Sequence, residues 1–167
     1  MKKIVFFLLA IVMIISLAAC GKNETEFELK SVEEEYIRQS ENKLLVINNK
    51  RNKVEIISKK NSKAATEITN YLSRANDNEW KEATDETDYL VESVNLNEID
   101  LTEPVDDFGV TLKTTKAFEN NKYITFYIER DGTMGGVSWY ALKQFSFDKK
   151  TRRIVRSCTY NYRCGCI

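Results

Sequence analysis

Asn61-Ser62-Lys63-Ala64-Ala65-Thr66-Glu67-Ile68-Thr69-Asn70-Tyr71-Leu72-Ser73-Arg74-Ala75 is the stretch that decides the fold of this chain. Ala64, Ala65, Ile68, Tyr71, Leu72 and Ala75 recur at a spacing of three and four, which draws one apolar stripe along a helix. Asn61 or Ser62 is available to cap its first turn. A second, weaker helical stretch is expected from about Asp77 to Thr87, with Trp80 and Ala83 on one side.

Outward from this helix the period changes to two. Upstream, Leu44 to Ile47 and Val54 to Ile57 are short apolar runs around a turn-like Asn48 to Asn52, so two strands and a tight turn are expected. Ser31 to Ser40 reads as a short helix, because Ser31 and Glu34 have capping-box spacing. Downstream, Tyr89, Val91 and Ser93 alternate with their neighbours, as do Phe108, Val110 and Leu112, and Ile124, Phe126 and Ile128. Asp131 to Gly136 is a glycine-rich hairpin connection. Val137 to Phe147 is the longest strand candidate, Asp148 to Thr151 a turn, and Ile154-Val155 the start of a return strand. An early helix followed by a run of antiparallel strands predicts an α+β fold, with one main helix packed on a mostly antiparallel sheet.

The N-terminus carries an address. Lys2 and Lys3 precede an unbroken apolar run from Ile4 to Ile15, and Leu17-Ala18-Ala19-Cys20-Gly21 closes it with small residues. That run is too short to span comfortably a hydrocarbon core of about 30 Å. The closing residues resemble the lipobox of bacterial lipoproteins. The resemblance implies that residues 1–19 are a signal peptide that is removed, and that Cys20 becomes an acylated first residue. It places the protein on the outer face of the cell membrane, with the membrane as a partner through the lipid on Cys20. Residues 20–42 then read as a tether, 43–156 as the folded domain and 157–167 as a cysteine-containing tail.

Charge excludes some classes. The whole chain is formally neutral, and removal of Lys2 and Lys3 leaves the mature part at about −2. Without a basic excess, nucleic acid is not expected as a partner. The chain has no histidine, which removes Ser-His-Asp and Cys-His catalysis and histidine-containing zinc sites. No cofactor, metal or catalytic constellation is expected. Acids dominate from Ala64 to Asp107, and such a block either balances neighbouring bases or steers a cationic partner. Asp85, Glu86 and Asp88 are its candidate binding residues, with Met134 and Trp139 as apolar contacts around the glycine-rich loop. Cys158, Cys164 and Cys166 are the remaining thiols, and Cys158 with Cys164 or Cys166 is a candidate disulfide.

The order of motifs resembles the extracellular domain family shared by the PdaC-type secreted deacetylases and the RsiV-type lysozyme-sensing anti-sigma factors. Val54-Glu55-Ile56-Ile57-Ser58 with Asn61 and Ala64 to Leu72, Tyr123-Ile124-Thr125-Phe126-Tyr127 with Met134-Gly135-Gly136, and Phe145-Ser146-Phe147-Asp148-Lys149-Lys150-Thr151 carry the likeness, over about residues 44 to 156. The sequence departs from the family in Val137-Ser138-Trp139 after the glycines and in Arg152, where the family has a turn glycine. It departs again after Arg156, where a truncated or frame-shifted continuation is one expectation. The resemblance implies a non-catalytic domain that binds an extracellular protein, such as a lysozyme-like hydrolase, or cell-wall material. The alternative is an immunity lipoprotein that sequesters a cationic antimicrobial peptide.

Overall fold

The computed structural model describes residues 26–134 and 136–164, and side chains as far as residue 161. The signal region with Cys20, and Cys166, lie outside the described residues. Seven elements follow in order: β1 (Glu28–Gln39), β2 (Leu45–Ile57), α1 (Ser62–Asn95), β3 (Val105–Glu119), β4 (Tyr123–Met134), β5 (Val137–Asp148) and β6 (Ile154–Cys164). The strands form one six-stranded sheet in sequence order. Every neighbouring pair is antiparallel except β2 and β3, which run parallel with α1 as their crossover. The expected α+β architecture, one helix on a mostly antiparallel sheet, is what forms.

The helix begins where Asn61 turns its side-chain oxygen to the backbone N–H of Ala64, at 3.2 Å. At 34 residues it is about 50 Å long and covers the full length of the sheet. Its buried stripe meets three apolar clusters in turn. Ala64, Ala65, Ile68 and Leu72 pack with Phe27, Val54, Ile56, Ile124, Phe126, Ile128, Phe145 and Phe147. Ala83 meets Val110 and Leu112, and Val91 and Val94 meet Leu45 and Ile47.

Several expectations are corrected. Ser31 to Ser40 is not a helix, because Glu28–Gln39 is the edge strand β1. The tether therefore does not extend to residue 42: Phe27 is fully buried and β1 is part of the sheet. Asn48 to Asn52 is not a turn, since β2 runs unbroken through it. Tyr89 to Val94 is the last part of α1 rather than a strand, and Asp77 to Thr87 is continuous with the first helix. Asp131 to Met134 lies within β4, so the hairpin connection shortens to residues 135–136, with Gly136 at φ 78°. Residues 157–164 belong to β6 and pair with β5, so the segment after Arg156 is sheet and not a tail.

A polar seam crosses the core where a turn was expected. Asn49, fully buried, donates from its side-chain nitrogen to Thr87 Oγ1 at 2.7 Å and accepts the Val110 N–H at 2.9 Å. Arg51 donates to Glu34 of β1 at 2.5 Å and to Asp77 of α1 at 2.6 Å, and lies over the Trp80 ring at 4.9 Å. Asn76 joins Arg51 to Thr114. Asparagine side chains thus supply part of the bonding between the parallel strands, and the buried Asn49, Arg51 and Asn76 each find partners.

Candidate functional site

The sheet has two ends, and the chain's charges sort between them. At the first end the polypeptide enters the domain. Glu119, at the end of β3, accepts the backbone N–H of Glu26 at 2.9 Å and of Phe27 at 3.3 Å. Lys149, buried in the β5–β6 turn, bonds Glu119 at 3.0 Å, Glu26 at 2.9 Å and the Asn120 carbonyl at 2.9 Å, and its ammonium lies over the Phe27 ring. Lys116 reaches the Phe27 carbonyl at 2.7 Å. The helix start is tied in too, since Asn61 donates to the Lys149 carbonyl at 3.3 Å. Burial works against the Lys149 charge, but the carboxylates of Glu26 and Glu119 together hold its pKa above that of a free lysine.

Around this knot the exposed charges are mostly basic, with Glu28 and Glu67 as exposed acids among them. Lys59 and Lys63 flank the helix cap, Lys122 lies in the β3–β4 turn, and Lys150 and Arg153 lie in the β5–β6 turn. Lys59, Lys63, Lys150 and Arg153 make no ion pair among the described residues. Asp148 shapes that turn by accepting the Lys150 and Thr151 N–H groups at 3.0 and 2.7 Å. The Thr151 N–H chiefly holds the Asp148 carboxyl below the usual range. Arg152 takes φ 64°, the left-handed conformation for which a glycine is suited. Beside the turn is an open cleft of about 420 Å³ lined by Arg74, Arg152, Arg153, Tyr71, Phe147 and Ile154, among others. The Nε of Arg152 is buried without a hydrogen-bond partner.

The opposite end, around Leu45, is acidic. Glu92, Glu98, Asp100, Glu103 and Asp106 are exposed on the last turn of α1 and the segment into β3, and none makes an ion pair among the described residues. The expected binding carboxylates fare differently. Asp85 pairs with Lys81, Glu86 lies 3.6 Å from Arg130, and Asp88 lies 3.3 Å from Arg38. Asp88 also accepts the Tyr36 hydroxyl at 2.7 Å; burial, together with this carboxylate, raises the tyrosine pKa. These three are balanced against the molecule's own cations.

Arg130 of β4 organises the neighbourhood of the other candidates. Its guanidinium lies over the Trp139 ring at 4.8 Å and reaches Glu79 at 3.4 Å and Glu82 at 3.3 Å. Lys143 adds a second cation to the buried Glu79. Gly132 makes room for the indole, since a Cβ there would stand 2.2 Å from it. Glu86, Met134 and Trp139 do come together, at a cleft of about 30 Å³, which is room for about one water molecule. Cys158 is a free thiol whose pKa is lowered, chiefly by the Arg156 guanidinium. Cys164 lies six residues further along the same strand, roughly 20 Å away by strand rise, so the expected bridge between those two is out of reach.

Sequence reasoning missed Phe27, Glu119 and Lys149. The available signal was Phe27 itself, a lone aromatic in the polar run from Gly21 to Glu28. No group of three or more potential ligands for a metal occurs among the described residues, and no helix there is long and apolar enough to cross a membrane.

Neither a protein-family model nor a curated protein matches this sequence. A solved structure of similar fold is the crystal structure of a member of the DUF3298 family from Bacteroides fragilis NCTC 9343. It superposes with a TM-score of 0.56 at 13% identity, covering 78% of this chain and 59% of that one. The likeness is one of fold.

Proposed function

We propose that this chain is a non-catalytic lipoprotein, anchored through Cys20 at the extracytoplasmic face of the membrane, whose domain binds an extracellular ligand. The observation that carries the reading is the distance between two features. The Leu17-Ala18-Ala19-Cys20 signal is followed, only seven residues later, by Phe27 locked into the core. A leader joined so closely to a folded domain suits an anchor. The DUF3298-like fold is in keeping with the binding domain that the motif resemblance implies, with a protein or cell-wall material as ligand. Expression of Cys20→Ala in a bacterial host fed labelled fatty acid tests the anchor. Loss of label and of membrane fractionation is expected, and a variant that keeps both overturns it. Capture assays with cell-wall fragments and lysozyme test the ligand class.

The second reading, sequestration of a cationic peptide, is favoured by the acidic Leu45 end. Its carboxylates lack internal partners and are open to an external cation. Salt-sensitive capture of a cationic peptide supports this reading over a folded hydrolase.

A further inference from the structure

We infer that the Phe27 end of the domain is a membrane-docking face that rests on anionic phospholipid headgroups and turns the acidic Leu45 end outward. The inference rests on the anchor reading above and adds a second, electrostatic contact to it.

The first argument is reach. Phe27 is the seventh residue after Cys20, and a fully extended chain spans at most about 3.6 Å per residue. Phe27 therefore stays within roughly 25 Å of an acylated Cys20. Glu119 and Lys149 hold Phe27, so this end of the sheet is the one kept near the anchor. The second argument is charge. The loops at that end present Lys59, Lys63, Lys122, Lys150 and Arg153, four of them without an internal ion pair. Of the carboxylates there, Glu26 and Glu119 are consumed by Lys149 and Glu67 lies 3.2 Å from Arg152, which leaves exposed Glu28 beside Phe27 against these cations. The third argument is the arginine-lined cleft. Arg74, Arg152 and Arg153 stand with Tyr71 and Ile154 around the space; Glu67 also lines it and pairs with Arg152, which leaves Arg74 and Arg153 as the cations open to a phosphate. Finally, the exposed acids Glu92, Glu98, Asp100, Glu103 and Asp106 cluster at the opposite end of the strands. An anionic surface attracts one end and repels the other, so the two effects select the same orientation.

The processed, acylated protein is reconstituted on vesicles of pure phosphatidylcholine or of phosphatidylcholine with 30% phosphatidylglycerol, and trypsin cleavage after Lys122 and Lys43 is timed. Lys122 lies at the Phe27 end, and Lys43 in the β1–β2 turn at the Leu45 end. At 0.1 M salt, cleavage after Lys122 is expected to slow at least about fivefold on the anionic vesicles, with Lys43 unchanged. Salt at 0.5 M removes the difference. In Lys59→Gln/Lys63→Gln/Lys150→Gln/Arg153→Gln the protection of Lys122 disappears. Equal Lys122 rates on both vesicles overturn the docking face. So does protection by soluble poly(glycerol phosphate) with none from anionic vesicles, which assigns the face to a wall polymer. Retention on the neutral vesicles reads the acyl anchor separately, so failure of the anchor and failure of the face give different results.

Discussion

Lys149 and Glu119 meet at 3.0 Å beneath the point where the chain enters the domain, with Lys149 buried and Glu119 largely so around Phe27. Lys149→Met removes one partner and leaves Glu119 with Lys116, which is 3.1 Å away. We expect a loss of about 3 kcal/mol in urea unfolding, the lower part of the range for breaking a buried ion pair. Amide exchange across Glu28–Gln39 accelerates in the same variant. Unchanged exchange in β1 would sink the role of this pair as the clamp on the N-terminal strand.

The same pair sets a pH dependence. The folded state holds the Lys149 pKa above the ordinary 10.5 of lysine. Its contribution is therefore fully present below about pH 10.5 and is lost as pH rises through the higher folded value. Thermal unfolding of the parent should fall more steeply above pH 10.5 than that of Lys149→Met, while both stay parallel from pH 7 to 9. Equal slopes in the alkaline arm contradict the assignment.

Ile68 and Leu72 carry the helix–sheet contact and are fully buried. Truncation of either to Ala should cost about 2–5 kcal/mol in denaturant midpoints analysed at constant slope. Losses within about 0.5 kcal/mol would place this helix face outside the core.

Arg152 sits at φ 64° in a turn suited to glycine. Arg152→Gly relieves a left-handed backbone that costs an ordinary residue roughly 1–2 kcal/mol, and gives up only a half-exposed pair with Glu67. A net gain of about 1 kcal/mol in stability is expected, read as a raised unfolding midpoint. A fall in the midpoint would mean that the Glu67 contact outweighs the backbone.

If the acidic end captures a cationic peptide, Glu98→Gln/Asp100→Asn/Glu103→Gln should slow association at low salt, and 0.5 M salt should erase the difference. Asp85→Asn/Glu86→Gln/Asp88→Asn should leave association near the parent value, because these three are already balanced by Lys81, Arg130 and Arg38. The opposite ranking, measured by stopped-flow, would return the binding face to the middle of α1.

The first half of the helix and the centres of β3, β4 and β5 were legible because most of their buried positions are apolar at a single period. Ile68 and Leu72 mark one face of a helix, and Ile124, Phe126 and Ile128 one face of a strand. The misreadings share a physical cause. Asn48-Asn49-Lys50-Arg51-Asn52 has the composition of a turn, yet Asn49 and Arg51 occupy core positions whose polar groups are satisfied by Thr87, Val110, Glu34 and Asp77. Composition cannot reveal partners that are distant in sequence. In β1 the partly buried side chains include Glu34 and Tyr36, which face polar partners, so no apolar alternation appears. In the last turns of α1 the buried residues are Ala83, Thr87, Val91, Ser93 and Val94, and the β-branched types among them imitate a strand. The internal partners of Glu86 and Asp88 were hidden for a related reason, because their cations lie on β4 and β1, far away in the chain, whereas Asp85 pairs with Lys81 four residues before it.

The placement of β1 has a mechanical consequence. All twelve residues of this edge strand pair antiparallel with β2, and the strand starts at the end where the polypeptide enters the domain. A force that pulls the N-terminus one way and the Leu45 end the other runs along the strand axis. The ladder between β1 and β2 then bears the load in shear, with every hydrogen bond strained together, rather than opening one bond at a time like a zip. Buried Phe27, held by Glu119 and Lys149, must also leave the core before the strand can slide. A tug on a ligand gripped at the acidic end is thus met by the domain's most collective resistance.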